Sequence, residues 1–223
     1  MENNELNEYL KYVLFKETHI KTKTDKPFIT INAQSGCQVD ELVAILLRKL
    51  NKEKLNGWKV LDKDILKSAA EELKIKENVI KESLVEEGHN FLNDFIESFS
   101  KGFYGPSTQK LTDTIQKVVR RQAERGNTIL VGRAADMITA DMKHGLHVFL
   151  EGPIEWRIKN LQKQKNLTKA RAIKELERMQ EHKKRFRDQF EKYVTQELSF
   201  SISINQALIS PEEAAKIIMR SLP

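Results

Sequence analysis

Five short apolar or β-branched runs punctuate this chain, and between them the apolar residues recur at helical spacing. The runs are Phe28-Ile29-Thr30-Ile31, Trp58–Leu61, Thr128-Ile129-Leu130-Val131-Gly132, His147-Val148-Phe149-Leu150 and Ser199–Ile204. The third and fourth are continuous, which fits strands buried on both faces by flanking helices. The last alternates, as a half-buried strand does. Strands and helices that alternate in this way predict an α/β fold: an open parallel sheet of about five strands with helices on both faces. Ligands of such sheets collect at the carboxyl ends of the strands. The loops that matter are therefore Asn32–Val39, Asp62–Asp64, Gly132–Asp136 and Glu151–Glu155.

The helical segments follow from periodicity and from their end signals. Leu6–Phe15 has near-helical spacing, and the polar run Lys21–Lys26 separates it from Pro27; residues 1–26 read as a helical appendage on an α/β domain of residues 27–223. Asp40–Leu50 puts Leu42, Val43, Leu46, Leu47 and Leu50 on one face. Helices are also predicted over Asp62–Lys74, Glu77–Phe99 and Thr108–Glu124, with Phe91, Phe95 and Phe99 as a core stripe. After Pro153 the pattern is helical to about Tyr193, broken near Asn166-Leu167-Thr168. Ser210-Pro211-Glu212-Glu213 is a helix start, with serine as N-cap, proline at the first helical position and glutamate at the third.

Charge narrows the partners. The formal net charge is +6, too small a surplus for a general nucleic-acid binder. Residues 157–192 hold thirteen Lys and Arg against five Asp and Glu, a surplus of +8 that leaves the rest of the chain at −2. One helical segment carries the basic character. The single cysteine, Cys37, excludes an intramolecular disulfide and a multi-cysteine metal site. It also fits a reducing compartment, and with no signal-peptide pattern or apolar span the expectation is a cytoplasmic protein. His144 and His147 are three apart, but the second lies in a strand run after Gly145, so shared metal ligation is not expected. With no base identifiable beside it, Cys37 reads as a small loop residue.

The loop after the first strand has the place and length of a phosphate-binding loop. Such a loop needs small residues so that backbone N–H groups converge on the anion, and a helix N-terminus behind it. Against the full pattern GxxxxGK[ST], Gly36 is the only glycine and Val39 stands at the lysine position. From these residues alone the loop reads more readily as an ordinary strand-to-helix turn than as a phosphate-binding loop. Arg133 follows a buried-type strand and stands where ligands collect; it either binds a phosphate or pairs with Asp136 or Asp62. Asp62 and Asp64 after the second strand are positioned to reach Mg²⁺ through water or a nucleoside's polar groups, while Asp62 is equally a helix N-cap.

Four blocks in order resemble the cytidylate kinase-like family, a divergent branch of the P-loop nucleoside monophosphate kinases. Asn32-Ala33-Gln34-Ser35-Gly36-Cys37-Gln38-Val39-Asp40-Glu41 stands where the family has a segment like SRQ-aromatic-GSGG-RE, with Gln34, Gly36 and Glu41 matching. Leu61-Asp62-Lys63-Asp64-Ile65-Leu66 resembles its YDK-E-II, and Val131-Gly132-Arg133-Ala134-Ala135-Asp136 its VGRGAD. His147-Val148-Phe149-Leu150-Glu151-Gly152-Pro153-Ile154-Glu155-Trp156-Arg157-Ile158 resembles HVFL-APxExRI. The likeness runs from about Phe28 to Leu222. It departs at Gln38 and Val39, where two family glycines are absent, and at His182, where the family tends to have an acidic residue.

The resemblance implies an ATP- and Mg²⁺-dependent kinase that phosphorylates a small acceptor, with CMP or dCMP as the acceptor it suggests. Gln34, Ser35, Gly36, Cys37, Gln38, Val39 and Asp40 would bind the nucleotide. Asp62, Asp64, Arg133 and Asp136 would bind the acceptor, and Arg133 would hold its α-phosphate. The resemblance also implies a helical lid over about residues 157–192, whose arginines, among Arg157, Arg171, Arg178, Arg185 and Arg187, would act on the moving phosphoryl group, with Arg157 and Arg185 the favoured pair. Each lid arginine also reads as part of a solvated helix face. Two other functions compete: a kinase-fold protein whose degenerate loop binds nucleotide without transferring phosphate, and a regulatory or nucleic-acid-contacting module using the basic helix.

Overall fold

The computed structural model describes residues 26–52, 57–62, 108–191, 194 and 198–223. The helices predicted over Leu6–Phe15, Asp62–Lys74 and Glu77–Phe99, together with Asp64, lie outside the described residues. The described elements are, in order, β1 (Phe28–Ala33), α1 (Val39–Lys52), β2 (Lys59–Leu61), α2 (Thr108–Arg125) and β3 (Thr128–Val131). Then come α3 (Ala135–Ile138), β4 (Gly145–Glu151), α4 (Ile154–Lys165), α5 (Lys169–Asp188), β5 (Ile202–Asn205) and α6 (Pro211–Arg220).

The strands form a five-stranded sheet in the order β2-β3-β1-β4-β5, and every pairing is parallel. Because the side-chain period of a strand is two, β1 serves both layers at once. Ile29, Ile31 and Ala33 face one layer with Leu42, Leu46 and Leu50 of α1 and Ile218 of α6. Phe28 faces the other with Ile115 and Val119 of α2, Ile138 of α3 and Phe186 of α5. Burial on both faces explains the continuous apolar runs. Leu42, Leu46 and Leu50 are fully buried, and each adds roughly 1.5–3 kcal/mol of hydrophobic stabilisation.

Two polar residues of this core are partnered with each other. Thr30 and His147 share a 2.8 Å hydrogen bond between Oγ1 and Nδ1, and burial lowers the imidazole's pKa. His147 is thus a satisfied core histidine. β5 begins at Ile202 rather than Ser199; just before it Ser201 N donates to His147 O of β4 at 2.8 Å, and Phe200 stacks on Phe149.

The basic segment folds as two helices. Asn166 ends α4 in the left-handed region at φ 50°, and Thr168 caps α5 by accepting from Arg171 N. Ile158, Leu161, Ala172 and Leu176 form a small apolar cluster between the two. Glu175 ties them further, accepting from Lys165 of α4 at 2.5 Å and from Arg178 at 2.9 Å. No described helix is long and apolar enough to cross a membrane.

The central strand β1 lies between β3 and β4. Ile31 is in register with Val131 on one side and Val148 on the other, so their carboxyl ends open at the same edge. The connection after β1 runs toward β2 at one edge of the sheet, whereas the connection after its neighbour β4 runs toward β5 at the other. A crevice forms at such a reversal of strand order.

Candidate active site

The loop that leaves β1 is tied down almost entirely through its backbone. Ala33 N donates to Asn32 Oδ1 at 2.9 Å, Gln34 N to Leu150 O at 2.8 Å and Cys37 N to Gln34 O at 3.1 Å. The Gln38 peptide is held at both ends by one side chain: its N–H donates to Gln206 Oε1 at 2.9 Å and its carbonyl accepts from Gln206 Nε2 at 3.1 Å. Gln34 Oε1 accepts from Gly152 N at 3.1 Å, which fastens the loop to the end of β4.

From behind, α4 grips the loop carbonyls. Arg157 Nη1 donates to Ser35 O at 3.0 Å, Arg157 Nε donates to Gly152 O at 2.9 Å, and Asn160 Nδ2 donates to Gly36 O at 3.2 Å. In a trans peptide the N–H lies opposite the preceding carbonyl, so the Gly36 N–H points away from α4. This contact requires glycine. Gly36 has φ +90°, and a Cβ there would stand 2.8 Å from Arg157 Cβ and 2.9 Å from the Arg157 carbonyl oxygen. Arg157 is therefore a buried brace beneath the loop, with its guanidinium already engaged by protein carbonyls.

Over the loop lies a cleft of ≈ 270 Å³, walled by residues 31–37, Asp62, the turn after β3 and one face of α5. This is just below the usual size range of small-molecule sites. The turn is strained: Gly132, Arg133 and Ala134 follow one another in the left-handed region at φ 63°, 54° and 54°. The latter two carry a Cβ and cost about 1–2 kcal/mol each. Strain of this kind persists where surrounding structure enforces it, as at ligand clamps. Here it turns Arg133 into the cleft wall. Its Nε is buried and has no hydrogen-bond partner among the described residues, and burial lowers the guanidinium's pKa while the charge of Asp62 opposes that shift. An arginine remains charged inside a protein, and a buried cation without hydrogen bonds is costly until an anion meets it.

The opposite wall is α5, where Met179, Lys183, Phe186 and Arg187 fall on one helical face. Arg187 Nη1 reaches both carboxylate oxygens of Asp136 at 2.8 Å, and Asp136 Oδ2 also accepts from Asn32 Nδ2 at 2.9 Å. Asp136 is buried, and its carboxylate is spent on orienting Arg187 and the end of β1. Lys183 Nζ donates to the Ala33 carbonyl. Burial, with Arg187 next, pushes this ammonium down to about 8.

The expected site residues thus divide. Gln34, Ser35, Gly36, Cys37, Val39, Asp62 and Arg133 line the cleft. Gln38 and Asp136 act on its frame, and Asp40 is exposed in the first turn of α1. Arg185 does not line the cleft; it is 60% exposed and pairs with Glu181 on the outer face of α5. Arg187, two residues on, occupies the cleft face instead. Arg178 is paired with Glu175. Burial raises the Cys37 thiol to about 11, which leaves it a protonated wall residue. Lys183 escaped sequence reasoning, although it left a signal: it interrupts the apolar stripe of Leu176, Met179, Phe186 and Phe190.

The sequence pattern of the cytidylate kinase-like family matches residues 28–207. The chain belongs to the cytidylate kinase-like family. Among solved structures, an uncharacterized protein from Eubacterium ventriosum ATCC 27560 is similar at TM-score 0.57 and 16% identity, over 87% of this chain and 97% of that one. TT1252 from Thermus thermophilus is similar at TM-score 0.45 and 18% identity, over 89% and 98%. No curated protein matches the chain. The first likeness shows the fold; the five-stranded parallel sheet between helices is the α/β architecture of P-loop kinase-like proteins.

Proposed function

We propose that this chain is a nucleoside monophosphate kinase that transfers the γ-phosphoryl group of ATP to a small acceptor, with CMP or dCMP as the acceptor its family suggests. Arg133 carries this reading. It is a cation whose buried Nε is unpartnered among the described residues, held by a strained turn at the switch point of a parallel sheet. Arg133 lines the same cleft as the loop after β1, and a phosphate there would supply the missing acceptor.

Phosphoryl transfer asks a protein mainly to position two substrates and to neutralise charge. Arg133 would grip the acceptor's phosphate with parallel hydrogen bonds. Arg187, oriented by Asp136, would face the phosphate chain. Residues 34–37 would seat the donor phosphates, with the Gly36 N–H turned away from α4. The donor set in the cleft fits Mg²⁺ only through water, since Asp62 is its single described carboxylate lining. When bound, Mg²⁺ supplies charge neutralisation between adjacent phosphates. Arg157 acts indirectly, by holding the loop in shape.

A coupled assay with Mg-ATP and a panel of CMP, dCMP and UMP tests the proposal. Turnover above background that falls at least about a hundredfold in Arg133→Ala is expected, the scale of losing one charge-stabilising group. A folded protein that turns over no monophosphate refutes it. One observation favours a second reading, nucleotide binding without transfer: the Gln38 N–H, a potential phosphate donor, is already taken by Gln206. Calorimetric ATP binding with no product in the same assay would establish that reading.

A further inference from the structure

Position 39, where a full phosphate-binding loop has its lysine, is valine. The loop nevertheless has a lysine against it, from the opposite side. Lys183 stands in the apolar stripe of α5, its ammonium is enclosed, and it donates to the carbonyl of Ala33, the last residue of β1. Among the described residues it has no other hydrogen bond and no ion pair. An ammonium carries three donors, so two are left for a ligand beside the loop. Two cavities also meet at this side chain. The ≈ 270 Å³ cleft lies on the Arg133 side, and a second of ≈ 470 Å³ runs along the stacked rings of Phe149 and Phe200. Residues 32–35, Lys183 and Arg187 line both.

We propose that Lys183 is the phosphate-binding lysine of this chain, contacting a polyphosphate anion seated over residues 34–37 and supplying from α5 the cation that α1 lacks. This deepens the kinase reading and rests on it for the identity of the anion as a nucleotide's phosphate chain. A polyphosphate fits better than a single phosphate because Arg133 lines one wall of the cleft and Lys183 and Arg187 the opposite one. Lysine suits the task as a compact point charge with rotatable donors. The ammonium also carries its burial cost in the free protein, a cost an anionic ligand offsets. The groups facing it are His182 and Arg187 on its own helix, Arg133 and Asp136 after β3, Cys37 in the loop and Asp62 beyond β2.

Calorimetry of the full chain with inorganic triphosphate, without metal, tests the proposal in wild type, Lys183→Met and Lys183→Arg. Lys183→Met should weaken binding at least tenfold at pH 7, ~1.4 kcal/mol, and Lys183→Arg should recover most of the loss. Wild-type binding should weaken from pH 7 to about pH 9.5 as the ammonium deprotonates, and Lys183→Met should lose that dependence. Wild-type affinity in Lys183→Met, or an unchanged pH dependence in it, overturns the proposal. Triphosphate binding through Lys183 without transfer to any monophosphate would leave the proposal standing and remove the kinase reading. Undiminished transfer by Lys183→Met would do the reverse.

Discussion

Replacing Lys183 by methionine should make the protein more stable while weakening its grip on phosphate. The ammonium is held at a pKa of about 8 against an ordinary 10.5. At ~1.4 kcal/mol per unit, keeping it charged in the cleft costs about 3 kcal/mol relative to its neutral form. Methionine matches the length of the stem and carries no charge. It forfeits the hydrogen bond to the Ala33 carbonyl, worth about 1 kcal/mol. The net gain is ~2 kcal/mol at pH 7, which for a chain of this size raises Tm by roughly 4–8 °C. The sign of the pH dependence follows from proton counts. Between about pH 8 and 10.5 the unfolded chain binds the proton more tightly than the folded one, so wild-type stability rises with pH there. The advantage of Lys183→Met is therefore full below pH 8 and shrinks toward pH 10.5. Thermal or urea unfolding at pH 7 and about pH 10 measures both quantities. A variant less stable than wild type at pH 7, or a gap that stays constant with pH, would show that the ammonium is not confined as described.

Other substitutions test the frame around the cleft. Gly36→Ala should destabilise by about 2–5 kcal/mol, combining a left-handed φ with a Cβ pressed onto Arg157; urea unfolding that shows no loss would contradict the loop geometry. The Glu175 carboxyl is held down to about 2, chiefly by Arg178, with Lys165 contributing. Its stabilisation, roughly 3 kcal/mol at most, is complete above pH 4.5 and is lost as pH falls toward 2. Acid unfolding curves should therefore flatten in Glu175→Gln over that range, and identical acid limbs would count against the bridge. With its thiol pushed up to about 11, Cys37 should alkylate far more slowly at pH 8 in the native than in the unfolded protein; equal rates would mean an accessible thiolate.

Much of the fold was legible because burial on both faces leaves an unmistakable pattern. Thr128–Val131 and His147–Leu150 read as continuous runs for the physical reason that helices cover both sides of the sheet. The start of α6 was equally plain, since Ser210 accepts from Glu213 N and proline follows it. The site was legible in outline only. Strand order could not be read from the sequence, but the rule that ligands sit at carboxyl ends of parallel strands sufficed to single out residues 32–39 and Arg133. The lid was harder. Counting cations in residues 157–192 finds the segment but not which cations face inward, because α5 chooses its face by burying Ala172, Leu176 and Phe186. That choice turns Arg185 to solvent and brings Lys183 and Arg187 to the cleft. Arg157 looked like a phosphate ligand, yet the positive φ of Gly36 lets α4 approach so closely that its guanidinium is spent on loop carbonyls. The Gln206 clamp on Gln38 joins residues 168 apart in sequence, and no local pattern announces it.

The most direct measurement is transfer of a labelled γ-phosphoryl group from Mg-ATP to CMP or dCMP by the full chain. Wild type should form labelled diphosphate, and Arg133→Ala, folded to the same melting profile, should form almost none. Label that never leaves ATP in the presence of any nucleoside monophosphate, or transfer unaffected by Arg133→Ala, would contradict a phosphoryl-transfer site in this cleft.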